Sequence, residues 1–113
     1  MFDDWFNDKQ TSFEEILRTD SEQKAADETA AKFSLYYYES CIFCARVRKT
    51  IRALNVTIEL RDIMKDRANL STLATLGGKT TVPCLRIAGE APGEEKWLYE
   101  SSDISEYLIE KLK

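Results

Sequence analysis

Two cysteines separated by two residues, Cys41 and Cys44, are the side chains of this sequence best suited to chemistry. A strand-like run ends just before them and a helix-patterned stretch, 43–54, begins at them, which predicts a position at a helix N-terminus. Unpaired backbone N–H groups and the helix dipole stabilise a thiolate there. A thiolate is the nucleophile of disulfide exchange, and a thiol one turn further on can attack the resulting mixed disulfide. The spacing therefore predicts a redox site.

Composition excludes several other kinds of site. The chain has 113 residues, three cysteines and no histidine, so Cys–His and Ser–His catalysis are not available. Zinc would require Cys41, Cys44 and Cys84 to recruit an acidic fourth ligand, and the second C-x-x-C pair typical of structural zinc is missing. Three cysteines in a reducing compartment also do not indicate a structural disulfide framework.

Charge and hydropathy limit the partners. The formal net charge is −4 and the pI is about 4.9, whereas a nucleic-acid binder usually has a basic face. No apolar run approaches the ~20 residues that span a bilayer, and the N-terminus lacks the basic and apolar regions of a signal peptide. We therefore expect one cytoplasmic domain with neither nucleic acid nor membrane as partner.

Periodicity from residue 33 onward predicts an α/β domain. Phe43, Val47, Ile51 and Leu54 recur at helical spacing and should bury one helix face. The Gly77-Gly78 pair should end a middle helix, and Ser101 or Ser102 should cap the last one. Strand–helix–strand at this length implies a parallel pair, and the last two strands should be antiparallel. The predicted strands are 33–38, 56–60, 83–87 and 96–99, and the predicted helices are 43–54, 67–76 and a final one from about 102.

Residues 1–31 form a polar, acidic extension that we expect to be helical. Ser12 and Glu15 have the spacing of a capping box, and a second helix start is expected around Thr19. The extension either packs loosely on the domain or docks a partner, or a second copy, through an aromatic cluster of Phe2, Trp5 and Phe6.

Three separated motifs resemble the glutaredoxin family, which has the thioredoxin fold. They are Y-Y-Y-E-S-C-I-F-C at 36–44, G-K-T-T-V-P at 78–83, and Y-E-S-S-D-I at 99–104. The resemblance implies a glutaredoxin-like domain over 32–113, with a four-stranded mixed sheet flanked by helices. The third motif also resembles the Glu-Ser signature of glutathione transferase N-terminal domains and of transferase-like bacterial glutaredoxins; a full transferase carries a further all-helical domain.

This resemblance implies a glutathione-dependent thiol–disulfide oxidoreductase. Cys41 would attack disulfide-containing or glutathionylated protein substrates, and Cys44 would resolve the mixed disulfide. In the family, a cis bond before the proline, here Val82–Pro83, turns the backbone of the preceding residue toward the cysteinyl unit of glutathione. The other glutathione-binding residues implied by the resemblance are Lys79 for the glycyl carboxylate, Thr81 of the same motif, and, for the γ-glutamyl group, Glu100 and Ser101 (transferase version) or Ser102 and Asp103 (glutaredoxin version).

The sequence departs from the family pattern beside the cysteines. Ile42-Phe43 replaces the usual Pro-Tyr, and Tyr38 replaces a frequent lysine, which removes a charge expected to favour the thiolate. Cys84, directly after the proline, is a third thiol that is either a buried strand residue or a redox partner. Two other functions therefore stay open: a glutathione-assisted [2Fe–2S] cluster carrier, and a non-catalytic glutathione-binding or adaptor domain.

Overall fold

The computed structural model of the chain describes residues 17–91 and 93–113. Four strands form one mixed sheet in the order β2–β1–β3–β4, with β1 and β2 parallel and the other pairs antiparallel. The predicted α/β class and mixed four-stranded sheet are confirmed. The strands are β1 (Phe33–Tyr37), β2 (Glu59–Asp62), β3 (Cys84–Ile87) and β4 (Lys96–Tyr99). The helices are α1 (Asp20–Ala30), α2 (Ile42–Ala53), α3 (Arg67–Thr72) and α4 (Ser101–Leu112), and a π-helical segment, Leu73–Gly77, continues α3.

The sheet separates two apolar clusters. Because successive side chains of a strand point to opposite faces, Leu35 and Tyr36 of β1 lie on different sides, and both are fully buried. The larger cluster packs α2 and α4 against the face of Leu35. The smaller one lies under α3 and the π-helical segment, and its buried members are Tyr36, Ile63, Leu73 and Cys84.

The start of one predicted strand and the burial of one predicted core residue differ from the structure. The second strand begins at Glu59 rather than at 56, because Asn55 turns the chain with φ 58° and pairing with β1 starts only at Glu59. Phe43 is 54% exposed rather than buried, because it lines a surface cleft. The other three positions of that helix pattern are buried as predicted, and Gly78, with φ 84°, ends the middle helix.

Helix α1 is fixed to the rest of the molecule at several points. Thr19 is its N-cap and forms a complete capping box with Glu22. The Arg18 guanidinium donates to the carbonyl of Leu112, and the Gln23 amide donates to the carbonyl of Asn55 at 3.1 Å. The predicted cap at Ser12 and the aromatic cluster of Phe2, Trp5 and Phe6 lie outside the described residues.

Two hydroxyl groups join α2 to α4 inside the core. Thr50 Oγ1 lies 3.3 Å from Ser105 Oγ and 3.2 Å from the Arg46 carbonyl, and Thr50 and Ser105 are both buried. Thr50→Val should lower the free energy of unfolding by about 1–2 kcal/mol, because the Ser105 hydroxyl then has no partner from α2. The double variant with Ser105→Ala should regain most of this loss. Urea unfolding tests this, and a Thr50→Val variant as stable as wild type would contradict it.

Candidate active site

Cys41 occupies the N-cap of α2, as the sequence predicts. Its φ of −79° and ψ of 116° are extended, and its Sγ accepts the backbone N–H of Cys44 at 3.1 Å. Both cysteines are free and buried, and Cys41 retains 7% exposure. The Cys41 sulfur is thus fixed by a backbone N–H at the N-terminus of a helix.

The second cysteine, Cys44, is held in its protonated form. Burial raises the pKa of Cys44 to about 12, and its hydrogen bond with Cys41 acts in the same direction, whereas the Tyr38 backbone and the charge of Arg48 oppose it. Cys44 is therefore a thiol at neutral pH, with a proton available beside Cys41 Sγ.

Arg48 is largely buried against residues at the end of β1. Its guanidinium lies 5.1 Å from the centroid of the Tyr37 ring and 3.8 Å from Glu39. The Tyr37 hydroxyl donates to Glu39 at 3.3 Å, and burial followed by the Glu39 charge raises the pKa of Tyr37. A largely buried positive charge therefore lies beside Glu39, where it partly offsets the raised pKa of Cys44.

A cleft of about 320 Å³ opens at the N-terminal end of α4. The Val82–Pro83 bond in its wall is cis, as predicted. Six of the eight predicted glutathione-binding residues line the cleft, whereas the two alternatives from the glutaredoxin version, Ser102 and Asp103, are exposed and do not. The lining residues are Phe43, Lys79, Thr81, Val82, Pro83, Tyr99, Glu100 and Ser101.

Glu100 has an unusual backbone conformation. It stands at the N-cap of α4 with φ 74° and ψ 114°, and its side chain does not cap the helix. The predicted cap at Ser101 or Ser102 is wrong, because the first intrahelical bond runs from the Ile104 N–H to the Glu100 carbonyl at 3.0 Å. Positive φ in a residue other than glycine is uncommon, and such strain concentrates at functional sites. It brings Glu100 and the first N–H groups of α4 to the same cleft.

Sequence reasoning missed two lining residues, Phe43 and Tyr99. The first was assigned to the core by its helical spacing, and the second was a strand residue within the third motif. Cys84, in contrast, does not reach the C-x-x-C pair: it lies in the smaller cluster on the other face of the sheet, opposite Tyr99 in register. Burial raises its pKa to about 11, so it is the buried strand thiol of the two alternatives.

Residues 17–91 and 93–113 contain no group of three or more His, Cys, Asp or Glu side chains arranged to hold a metal ion. No helix among them has the length and apolar character required to cross a membrane.

The sheet order, the C-x-x-C helix start and the cis-proline cleft define a thioredoxin-fold protein of the glutaredoxin and glutathione transferase type. Within that class, the chain belongs to the family described as "Glutathione S-transferase, N-terminal domain", whose model matches residues 35–112. No curated protein sequence matches the chain.

Solved structures agree on the fold. Maleylacetoacetate isomerase from Anaeromyxobacter dehalogenans, with dicarboxyethyl glutathione and citrate in its active site, is 25% identical with a TM-score of 0.52, over 72% of this chain and 37% of that one. The chain thus spans little more than a third of the isomerase. Reduced glutaredoxin C1 from Populus tremula x tremuloides is 22% identical with a TM-score of 0.56, over 82% and 83% of the two chains. A buckwheat glutaredoxin–glutathione complex is 19% identical with a TM-score of 0.56, over 84% and 94%.

Proposed function

We propose that the protein is a glutathione-dependent thiol–disulfide oxidoreductase with Cys41 as the nucleophile. The main observation behind this proposal is the difference between the two cysteines. Cys41 Sγ is held at a helix start by the Cys44 N–H, whereas burial keeps Cys44 a thiol. This arrangement suits a nucleophile followed by a resolving thiol. Family membership supports glutathione-related chemistry at the level of the whole family.

The reaction would proceed by successive thiol–disulfide exchanges. In a monothiol cycle, the Cys41 thiolate attacks the glutathione sulfur of a glutathionylated substrate, the substrate thiolate leaves with a proton from solvent, and the glutathione sulfur becomes bonded to Cys41. A free glutathione then reduces this mixed disulfide, and glutathione disulfide is released. In a dithiol cycle, Cys41 attacks a protein disulfide, and Cys44 then attacks the Cys41 sulfur of the mixed disulfide and passes its proton to the departing protein thiolate. Two molecules of glutathione reduce the resulting Cys41–Cys44 disulfide and leave as glutathione disulfide.

The cleft fits a small charged tripeptide. Its volume of about 320 Å³ lies at the lower end of the ~300–1,000 Å³ usual for ligand sites. Lys79 provides a positive side chain and Glu100 a negative one, while the N-terminus of α4 begins at Ser101. These groups match the glycyl carboxylate, the ammonium and the γ-glutamyl carboxylate of glutathione. The lining set favours Glu100 and Ser101 over Ser102 and Asp103 for the γ-glutamyl end.

The test compares two substrates in a glutathione-coupled assay. Wild-type protein should reduce both a glutathionylated peptide and a protein disulfide. Cys44→Ser should keep the first activity within about threefold and lose the second by at least about a hundredfold, because only Cys44 can resolve a mixed disulfide with a protein.

Cys84→Ser is the matched control, since Cys84 is a buried thiol on the other face of the sheet, and it should retain both activities. Absence of both activities in the wild type would overturn the proposal. Loss of both in Cys44→Ser, with Cys41→Ser unaffected, would reverse the two roles.

A transferase is the second candidate, favoured by the family match over residues 35–112. In that case the thiolate of bound glutathione itself attacks an electrophile, and Cys41 forms no covalent bond during the reaction. Conjugation of glutathione to a chlorodinitrobenzene that survives Cys41→Ser would select this candidate. The cluster-carrier alternative stays a prediction, and a colourless protein after anaerobic reconstitution with iron, sulfide and glutathione would remove it.

A further inference from the structure

Tyr99 lines the cleft but has no role in the chemistry above. It is the last residue of β4. Its hydroxyl donates to the Gly77 carbonyl at 2.9 Å, and its ring centroid lies 5.0 Å from Lys79 Nζ. One side chain thus holds both the backbone that precedes Lys79 and the charged end of Lys79.

The loop that carries Lys79 rests directly on β4. A Cβ atom at Gly77 would lie 2.7 Å from the Tyr99 hydroxyl oxygen and 3.0 Å from Trp97 Cε3, so only glycine permits this approach. Gly78 then turns the chain with φ 84°. The Gly77 backbone packs on Tyr99, and Gly78 turns the chain just before Lys79. The direction of the lysine side chain therefore depends on the contact with Tyr99.

Tyr99 is also anchored in the sheet. Cys84 lies directly opposite Tyr99 in the β3–β4 register, and Tyr99 packs against the smaller apolar cluster that contains Cys84. The ring next to Lys79 is therefore held by the sheet, and its hydroxyl is held by the Gly77 carbonyl.

The charge on Lys79 would otherwise be free to move. Lysine has a flexible stem of four carbons, and a ring face attracts its ammonium electrostatically. Lys79 is the cationic side chain among the described residues that line the cleft, and it is itself exposed. Restraining the Lys79 side chain before a ligand binds reduces the conformational entropy that is lost on binding.

We infer that Tyr99 is a positioning residue that holds Lys79 and the Gly77 loop for the terminal carboxylate of the ligand. This inference rests on the proposed function, in which the cleft binds glutathione. Tyr99 sets affinity and ligand choice at one end of the tripeptide and takes no part in bond making at Cys41.

The test pairs variants with two ligands, glutathione and glutathione amide, in which the glycyl carboxylate is an amide. Tyr99→Leu should raise the KM for glutathione about tenfold with kcat nearly unchanged. The KM for glutathione amide should change by less than about twofold. Tyr99→Phe keeps the ring and loses the hydrogen bond to the Gly77 carbonyl, so the KM for glutathione should rise about threefold. When Lys79 is already replaced by glutamine, adding Tyr99→Leu should leave the KM for both ligands nearly unchanged.

Tyr107→Leu is the matched control, because Tyr107 also has a lysine over its ring, with Lys111 Nζ 5.6 Å from the centroid, and it lies outside the cleft. Equal effects of Tyr99→Leu on both ligands, or a fall in kcat alone, would overturn the inference. If Tyr99→Leu does not fold, Tyr99→Phe and Lys79→Gln give the same comparison. A wild type that uses neither ligand would instead reject the proposed function, and this inference with it.

Discussion

Replacing Cys41 by serine should reduce turnover of both the glutathionylated peptide and the protein disulfide by at least about a thousandfold. A serine hydroxyl does not ionise near neutral pH, so the first exchange step has no nucleophile. The substitution is structurally mild, because serine is among the preferred N-cap residues and its oxygen can accept the Cys44 N–H as Cys41 Sγ does. The free energy of unfolding should therefore change by less than about 1 kcal/mol.

Activity and urea unfolding measured on the same preparations separate chemistry from folding. Cys84→Ser, at the third thiol, provides the control for loss of a cysteine as such. Direct titration with glutathione should give similar affinity for wild type and Cys41→Ser, because the cleft is lined by other residues. A serine variant with more than about a tenth of wild-type turnover would exclude Cys41 as the nucleophile.

The second large effect is a loss of stability at alkaline pH. Burial raises the pKa of Cys44 to about 12 and that of Cys84 to about 11, whereas a cysteine in the unfolded chain has a pKa near 8.5. Both folded-state values are raised, so the contribution to stability is fully present below pH 8.5 and is lost progressively above it. Between pH 7.5 and 9.5 each cysteine should lower the free energy of unfolding by about 1.4 kcal/mol.

Urea unfolding at pH 7.5, 8.5 and 9.5, with a reductant present throughout, measures this slope. Cys84→Ala removes one of the two groups, so the difference in stability between wild type and variant should shrink by about 1.4 kcal/mol over this range. A difference that is constant with pH would mean that Cys84 ionises in the folded protein as readily as in the unfolded chain.

Much of the architecture could be predicted because its signals are local. The spacing of Val47, Ile51 and Leu54 defines a helix face irrespective of the rest of the chain. The cis bond at Val82–Pro83 and the thioredoxin fold were predicted from the motif resemblance instead.

The errors occur where packing between elements decides the outcome. Periodicity assigned Phe43 to the core, but the position of the cleft leaves its ring exposed. The start of β2 depends on its register with Ser34 in β1, which no local pattern contains. Likewise, the N-cap lies at Glu100, before the predicted Ser101 or Ser102, and it has a positive φ that is unfavourable for glutamate.

The placement of the three thiols also limits the disulfide isomers that the folded chain can form. Three cysteines allow three different single disulfides, but a bridge requires Cβ atoms about 3.5–4.5 Å apart. Cys84 is on the far face of the sheet from Cys41 and Cys44, so two of the three pairings would require the sheet to open. An oxidised folded population should consequently be a single covalent species, and scrambled isomers would report on unfolded molecules alone.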